Sequence, residues 1–88
     1  MKYHIEYTPR AYKSLAKLDK PTARGIIAWI EDNLEGCENP RLHGKALVGN
    51  HSGEWRYRVG DYRIIADIQD KRVLILVLDV KHRSKVYN

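Results

Sequence analysis

The sequence predicts an α+β fold: an N-terminal strand, a helix hairpin and a three-stranded antiparallel meander, with the helices packed on one face of the sheet. Apolar and polar residues alternate near the start of the chain and through its second half, as half-buried strands require. Between these regions apolar residues recur at helical spacing. Two-residue breaks between the later strands favour tight hairpins and a meander.

Residues 2–7 form the first strand, with Tyr3, Ile5 and Tyr7 on one side and Lys2, His4 and Glu6 on the other. Thr8-Pro9 then starts a helix, because Thr is a good N-cap and Pro suits the first helical position. Its apolar stripe is Ala11, Leu15 and Leu18, with Tyr12 beside them. Asp19-Lys20-Pro21 begins a second helix with the stripe Ala23, Ile26, Ile27, Ile30 and Leu34, and Gly36 is placed to end it. Gly25 inside this helix costs about 1 kcal/mol relative to Ala, which close approach of the two helices would justify. From Cys37 to Gly53 the periodicity gives way to turn chemistry: Asn39-Pro40, Gly44, Gly49-Asn50 and Ser52-Gly53. So long a loop in so small a domain is more often functional than idle. Glu54 to Val59, Tyr62 to Gln69 and Val73 to Val80 read as strands, broken by Gly60-Asp61 and Asp70-Lys71. A basic tail, Lys81 to Asn88, follows.

The 88 residues make one domain, spanning 1–88. Sixteen Lys plus Arg against eleven Asp plus Glu leave a net charge of +5, which favours an anionic partner. The single Cys37 has no partner for a disulfide and no Cys/His spacing resembles a zinc site, which fits a reducing compartment and a chain without a metal or cofactor. The N-terminus has no signal-peptide apolar region, and the longest apolar run, Val73 to Leu78, is too short to cross a bilayer. A soluble cytoplasmic protein with no membrane partner is expected.

The hairpin register exposes the chemistry. With Gly60-Asp61 as a two-residue turn, Val59 faces Tyr62 and Arg58 faces Arg63. Arg56, Arg58, Arg63, Ile65 and Asp67 then share one face, while Tyr57, Val59, Tyr62, Ile64, Ala66 and Ile68 share the other. Val73, Ile75 and Val77 extend that second, apolar face, which the helices must cover. Two arginines directly opposite each other normally destabilise a sheet. A polyanion would explain them, because planar guanidinium groups match phosphate oxygens in pairs. The alternative is a solvated face that Asp61 and Asp67 partly neutralise. Lys81, His82, Arg83 and Lys85 follow the last strand without an acidic residue, and Tyr87 stands near the end. Delivered to the end of the sheet, these groups supply the parts for acid–base work on a phosphodiester, with His82 as the proton carrier.

Elsewhere the signals are weaker. His43, Lys45 and His51 lie in the long loop and can reach a substrate, while His4 faces outward on the first strand. Trp55 is core or a stacking platform for a base, and strand alternation groups it with Tyr57 and Val59 in favour of core. Trp29 packs at the edge of its helix stripe, and Cys37 reads as incidental. There is no glycine-rich phosphate loop, nucleophile elbow or acidic metal cluster.

Taken together, Pro40-Arg41-Leu42-His43-Gly44-Lys45-Ala46-Leu47, Trp55-Arg56-Tyr57-Arg58, Asp61-Tyr62-Arg63 and His82-Arg83…Val86-Tyr87 resemble the RelE/ParE toxin superfamily, and within it the RelE branch of type II toxin–antitoxin systems. The resemblance covers essentially the whole chain. It implies a ribosome-dependent endoribonuclease that cuts messenger RNA in the decoding site by attack of a 2′-hydroxyl on the adjacent phosphorus, without a cofactor. It implies as partners the ribosome, its mRNA, and a cognate antitoxin, RelB-like or another small acidic protein. Operator DNA would be touched only through that antitoxin. Carried onto this chain, the basic strand positions fall on Arg56 and Arg58, and the phosphate-holding arginine after the hairpin falls on Arg63. The tail group falls among Lys81, His82 and Arg83, and the terminal tyrosine is Tyr87. Catalysis is thereby assigned to Arg58, Arg63, His82 and Tyr87, and RNA binding to Arg56, Lys45, Lys81, Arg83 and Lys85. Relatives often carry lysines where this chain has Arg56 and Arg58. Arginine stays protonated, so these two suit phosphate binding rather than proton removal. Two other readings stand beside this one: a ParE-like, non-catalytic poison of DNA gyrase, and a binding module that has lost activity.

Overall fold

The computed structural model describes residues 1–46 and 54–85. Strand β1 is His4–Tyr7, helix α1 Pro9–Ala16, helix α2 Lys20–Asn33 and strand β2 Lys45–Ala46. Strands β3 (Trp55–Val59), β4 (Tyr62–Gln69) and β5 (Leu74–His82) follow. They form one mixed sheet in the order β1-β5-β4-β3-β2, antiparallel except where β1 runs parallel to β5. The α+β architecture expected from the sequence is therefore present. No helix among the described residues is long and apolar enough to cross a membrane.

Both helices begin as their capping residues dictate. The Thr8 hydroxyl accepts from the N–H of Ala11, the Asp19 carboxylate accepts from the N–H of Thr22, and each helix carries Pro in its first turn. Ala11 and Leu15 from α1 and Ile26, Ile30 and Leu34 from the second helix segment bury against Tyr57, Ile64, Ala66, Ile75, Val77 and Val80 of the sheet. Trp55 packs against this core as expected. Close helix approach does not explain Gly25, however: a β-carbon there would meet nothing within 4 Å.

Three local features depart from the expected pattern. First, the long loop contains β2, a two-residue strand paired with β3 through Lys45↔Arg56 and Ala46↔Trp55. Two residues carry no readable period. Second, β4 and β5 are joined not by two residues but by a 3₁₀ turn, Asp70–Arg72, and by Val73 at φ 51°. A β-branched residue in the left-handed region costs about 1–2 kcal/mol. Third, β5 runs on to His82, so Lys81 and His82 belong to the strand rather than the tail. Its register against β4 breaks between Ile65 and Ala66, whose partners are Asp79 and Val77. Leu78 is thus an extra residue, a β-bulge, and side-chain alternation shifts by one beyond it. Val80 turns to the core, His82 falls opposite Tyr62, and Lys81 falls opposite Arg63.

Tethers fix the segment that precedes β2. The Arg41 guanidinium makes a paired salt bridge to Asp70, both N···O distances being 3.0 Å, and Tyr3 Oη donates to the same carboxylate at 2.6 Å. The buried Tyr57 hydroxyl donates to the Pro40 carbonyl at 2.8 Å, and burial pushes its pKa up. Trp55 Nε1–H donates to the His43 carbonyl at 2.6 Å. The hydrogen bonds from Arg41 and then Tyr3 hold the Asp70 pKa below its ordinary value. The ionised form is therefore favoured by folding. Its contribution is present above the unfolded carboxylate pKa of about 3.9 and is lost as pH falls through the lower folded value. Asp70→Asn is expected to lower Tm at pH 7, with the gap to wild type closing in acid. A gap that persists unchanged at pH 2 would contradict this account.

Candidate functional site

On the sheet face opposite the helices, cations occupy consecutive cross-strand pairs. Arg58 stands opposite Arg63, as the hairpin register requires, and Lys45 stands opposite Arg56 one step along. Like charges directly opposite one another oppose sheet formation. Here two such pairs adjoin.

These side chains line an open groove of about 490 Å³ together with Trp29, Leu42, His43 and Gly44. None of the eight lining residues is acidic. Helix α2 supplies Trp29, whose ring meets His43 edge-on at 5.8 Å. The turn Pro40–Leu42 leads into the segment bearing His43, Gly44 and Lys45, which lies against β3. That fit depends on Gly44. It has φ +78°, and a β-carbon would overlap the Arg56 carbonyl oxygen while lying 2.8 Å from Trp55 Nε1 and 2.9 Å from Tyr57 Cδ1.

Arg63 sits at the focus of the charge. Its Nη1 is buried and has no hydrogen-bond partner, the one such side-chain atom among the described residues. Desolvation, followed by the guanidiniums of Arg58, Arg56 and Arg83, pushes its pKa down, with Asp61 pulling the other way. The group still remains a cation at physiological pH. A buried, charged donor without an acceptor is costly, and several neighbouring positive charges increase that cost. An oxyanion would satisfy both demands.

The structure brings some of the sequence-assigned residues together and separates others. Lys45, Arg56, Arg58 and Arg63 come together in the groove. Arg83 lies close enough to act on Arg63; its N–H donates to the Asp61 carbonyl at 2.7 Å, and its Nε lies 3.9 Å from Asp61 Oδ1. Lys81 is across from Arg63 in register but does not line the groove; it borders a second hollow with Arg10, Lys13, Ser14, Lys17 and Asp79 beside α1. His82 stands apart from the groove. Its ring meets Tyr62 edge-on at 5.2 Å and its Nδ1 lies 2.9 Å from Ser84 Oγ, in a hollow shared with Ser14, Lys17, Leu18 and Lys81. The bulge at Leu78 is the reason, since it exchanges the sides of Lys81 and His82. Tyr87, His51 and the Lys85 side chain lie outside the described residues. Trp29 and Leu42 were not assigned to the site from the sequence: Trp29 reads as helix packing, and Leu42 stood only within the loop motif.

The model for the family described as "ParE toxin of type II toxin-antitoxin system, parDE" matches residues 5–87. The chain belongs to this toxin family. Its place in the RelE/ParE superfamily is supported by individual relatives. Toxin RelG of Mycobacterium tuberculosis is 28% identical over 87 residues, covering 99% of this chain and 98% of that protein. A chain of the M. tuberculosis toxin–antitoxin complex RelBE2 superposes with a TM-score of 0.83 at 26% identity, over 97% of this chain and 95% of that one. A chain of the archaeal RelE–RelB complex from Pyrococcus horikoshii gives 0.71 at 28% identity, over 98% and 100%. The ParE-family toxin described here thus shares its whole length with proteins named as RelE-type toxins.

Proposed function

We propose that this toxin is a ribosome-dependent endoribonuclease that cleaves mRNA in the decoding site and so stops translation. The observation that carries this reading is the buried, unpartnered Nη1 of Arg63 at the centre of a cationic groove. The substrate is a phosphodiester. The ribose 2′-oxygen forms a bond to phosphorus, the bond from phosphorus to the 5′-oxygen of the next nucleotide breaks, and a 2′,3′-cyclic phosphate results. Arg63 and Arg58 bind the non-bridging oxygens and neutralise the charge that grows on them in the transition state. Arg56, Lys45, Lys81 and Arg83 hold the flanking backbone, and Leu42, 76% exposed, and Trp29 offer apolar surface at the groove for a base. The M. tuberculosis and P. horikoshii neighbours are toxin–antitoxin complexes, which supports a cognate antitoxin as this toxin's inhibitor.

Cleavage of a defined message on programmed ribosomes tests the proposal. Cuts are expected within the decoding-site codon, with cyclic phosphate ends, and not on the same RNA free in solution. A second reading, poisoning of DNA gyrase, follows from the ParE name of the matching family model. Intact message together with inhibited supercoiling would select it instead.

A further inference from the structure

Within the nuclease reading, the three arginines assigned to the groove include no proton acceptor. Arg56, Arg58 and Arg63 are permanently charged and can stabilise negative charge on phosphate or on a departing oxygen. None can take the proton that a 2′-hydroxyl must lose. His82, the imidazole suggested by the tail, lies against Tyr62 and Ser84 in the hollow beside α1. Among the described residues, the groove contains one imidazole, that of His43, and one amine, that of Lys45.

We propose that His43 is the general base of this toxin. As the 2′-oxygen bonds to phosphorus, its proton passes to a His43 ring nitrogen. As the bond to the 5′-oxygen breaks, that oxygen takes a proton from water. The proton on His43 neutralises the hydroxide left behind and returns the imidazole to its neutral form, and the arginines carry the phosphorane charge meanwhile. Imidazole suits the acceptor role because it takes up and releases protons near neutral pH. The local structure holds it for the task. The His43 carbonyl accepts from Trp55, Trp29 meets the ring edge-on, and Gly44 seats the following backbone on β3. The charged groups sharing the groove from β2, β3 and β4 are Lys45, Arg56, Arg58 and Arg63, and α2 contributes the uncharged Trp29. His43 is exposed, and its backbone rather than its ring holds the tether from Trp55. Substitution of the ring therefore leaves the fold in place.

The test is the pH profile of single-turnover cleavage on programmed ribosomes, with binding measured separately. His43→Gln is expected to lower the rate by ~10²-fold or more, to remove the rise of rate with pH near neutrality, and to leave ribosome binding and Tm unchanged. Added imidazole is expected to restore part of the rate to His43→Gly, which a purely structural role would not allow. A His43→Gln toxin with the wild-type rate and profile overturns the assignment. So does transfer of that behaviour to Lys45→Met or His82→Ala. A wild-type toxin that cuts nothing on ribosomes overturns the nuclease reading and this one with it; a cutting wild type with an unaffected His43 variant overturns this one alone.

Discussion

Arg63→Met is expected to lower single-turnover cleavage by ~10²–10³-fold while leaving Tm unchanged or higher, the scale of loss seen when a preorganised oxyanion donor is removed. The two halves of this expectation come from the same geometry. Arg63 brings a buried unpartnered N–H and stands opposite Arg58, with Arg56 and Arg83 acting on it too. In the free protein these features oppose folding, so removing the charge relieves repulsion, and Met keeps an unbranched stem to fill the space. In the complex the same features grip phosphate. Arg56→Met lies one step further along the sheet and is expected to show a smaller loss, read mainly as weaker binding with a shallower salt dependence. Equal losses from the two variants, or an Arg63→Met toxin that cuts at the wild-type rate, would remove Arg63 from the centre of the site. A large fall in Tm would show that the guanidinium is structural instead.

Gly44→Ala is expected to be the most damaging small substitution. The left-handed backbone alone disfavours a side chain by about 1–3 kcal/mol. The overlap adds to that, because the β-carbon meets the Arg56 backbone carbonyl, which cannot swing aside as a side-chain tip can. Relief requires lifting the His43–Lys45 segment from β3, which breaks the pairing of β2 and the hydrogen bond from Trp55 to His43. At about 4–8 °C per kcal/mol for a domain of this size, the loss is readily measured as a fall in Tm. Cleavage should fall with it, since His43 and Lys45 leave the groove. Gly25→Ala provides the contrast, because its β-carbon meets nothing within 4 Å on an exposed helix surface. It is expected to stabilise by about 0.5–1 kcal/mol. Equal Tm values for the Gly44→Ala and wild-type proteins would show that the segment is not seated on β3.

The elements whose signals are local were legible. Thr8-Pro9 and Asp19-Lys20-Pro21 start helices through short-range hydrogen bonds, and both are present. The Gly60-Asp61 turn sets the β3–β4 register, so the opposition of Arg58 and Arg63 follows from counting residues. The parallel pairing of β1 with β5 joins His4 to Leu74, and no nearby residue encodes it. Strand β2 exists because β3 offers an edge to pair with, not because Lys45-Ala46 has strand character of its own.

From the sequence alone come the two helices, the meander, the apolar face and the arginine pair, together with the resemblance to a toxin superfamily. The structural features among these depend on spacings within one element or across a short turn, and the resemblance rests on motifs along the chain. Which titratable group joins the arginines was decided by tertiary structure. The extra residue at Leu78 reverses the alternation of β5, placing Lys81 across from Arg63 and His82 against Tyr62. Meanwhile the ties from Asp70, Tyr57 and Trp55 draw His43 into the groove from a loop with no period to read. A bulge is a single unpaired residue whose only trace is the register of its partner strand, and a tethered loop is placed by residues distant in the chain. Neither leaves a mark in the local pattern, so the arginines can be placed by counting, whereas His43 was legible only as one of three loop residues able to reach a substrate.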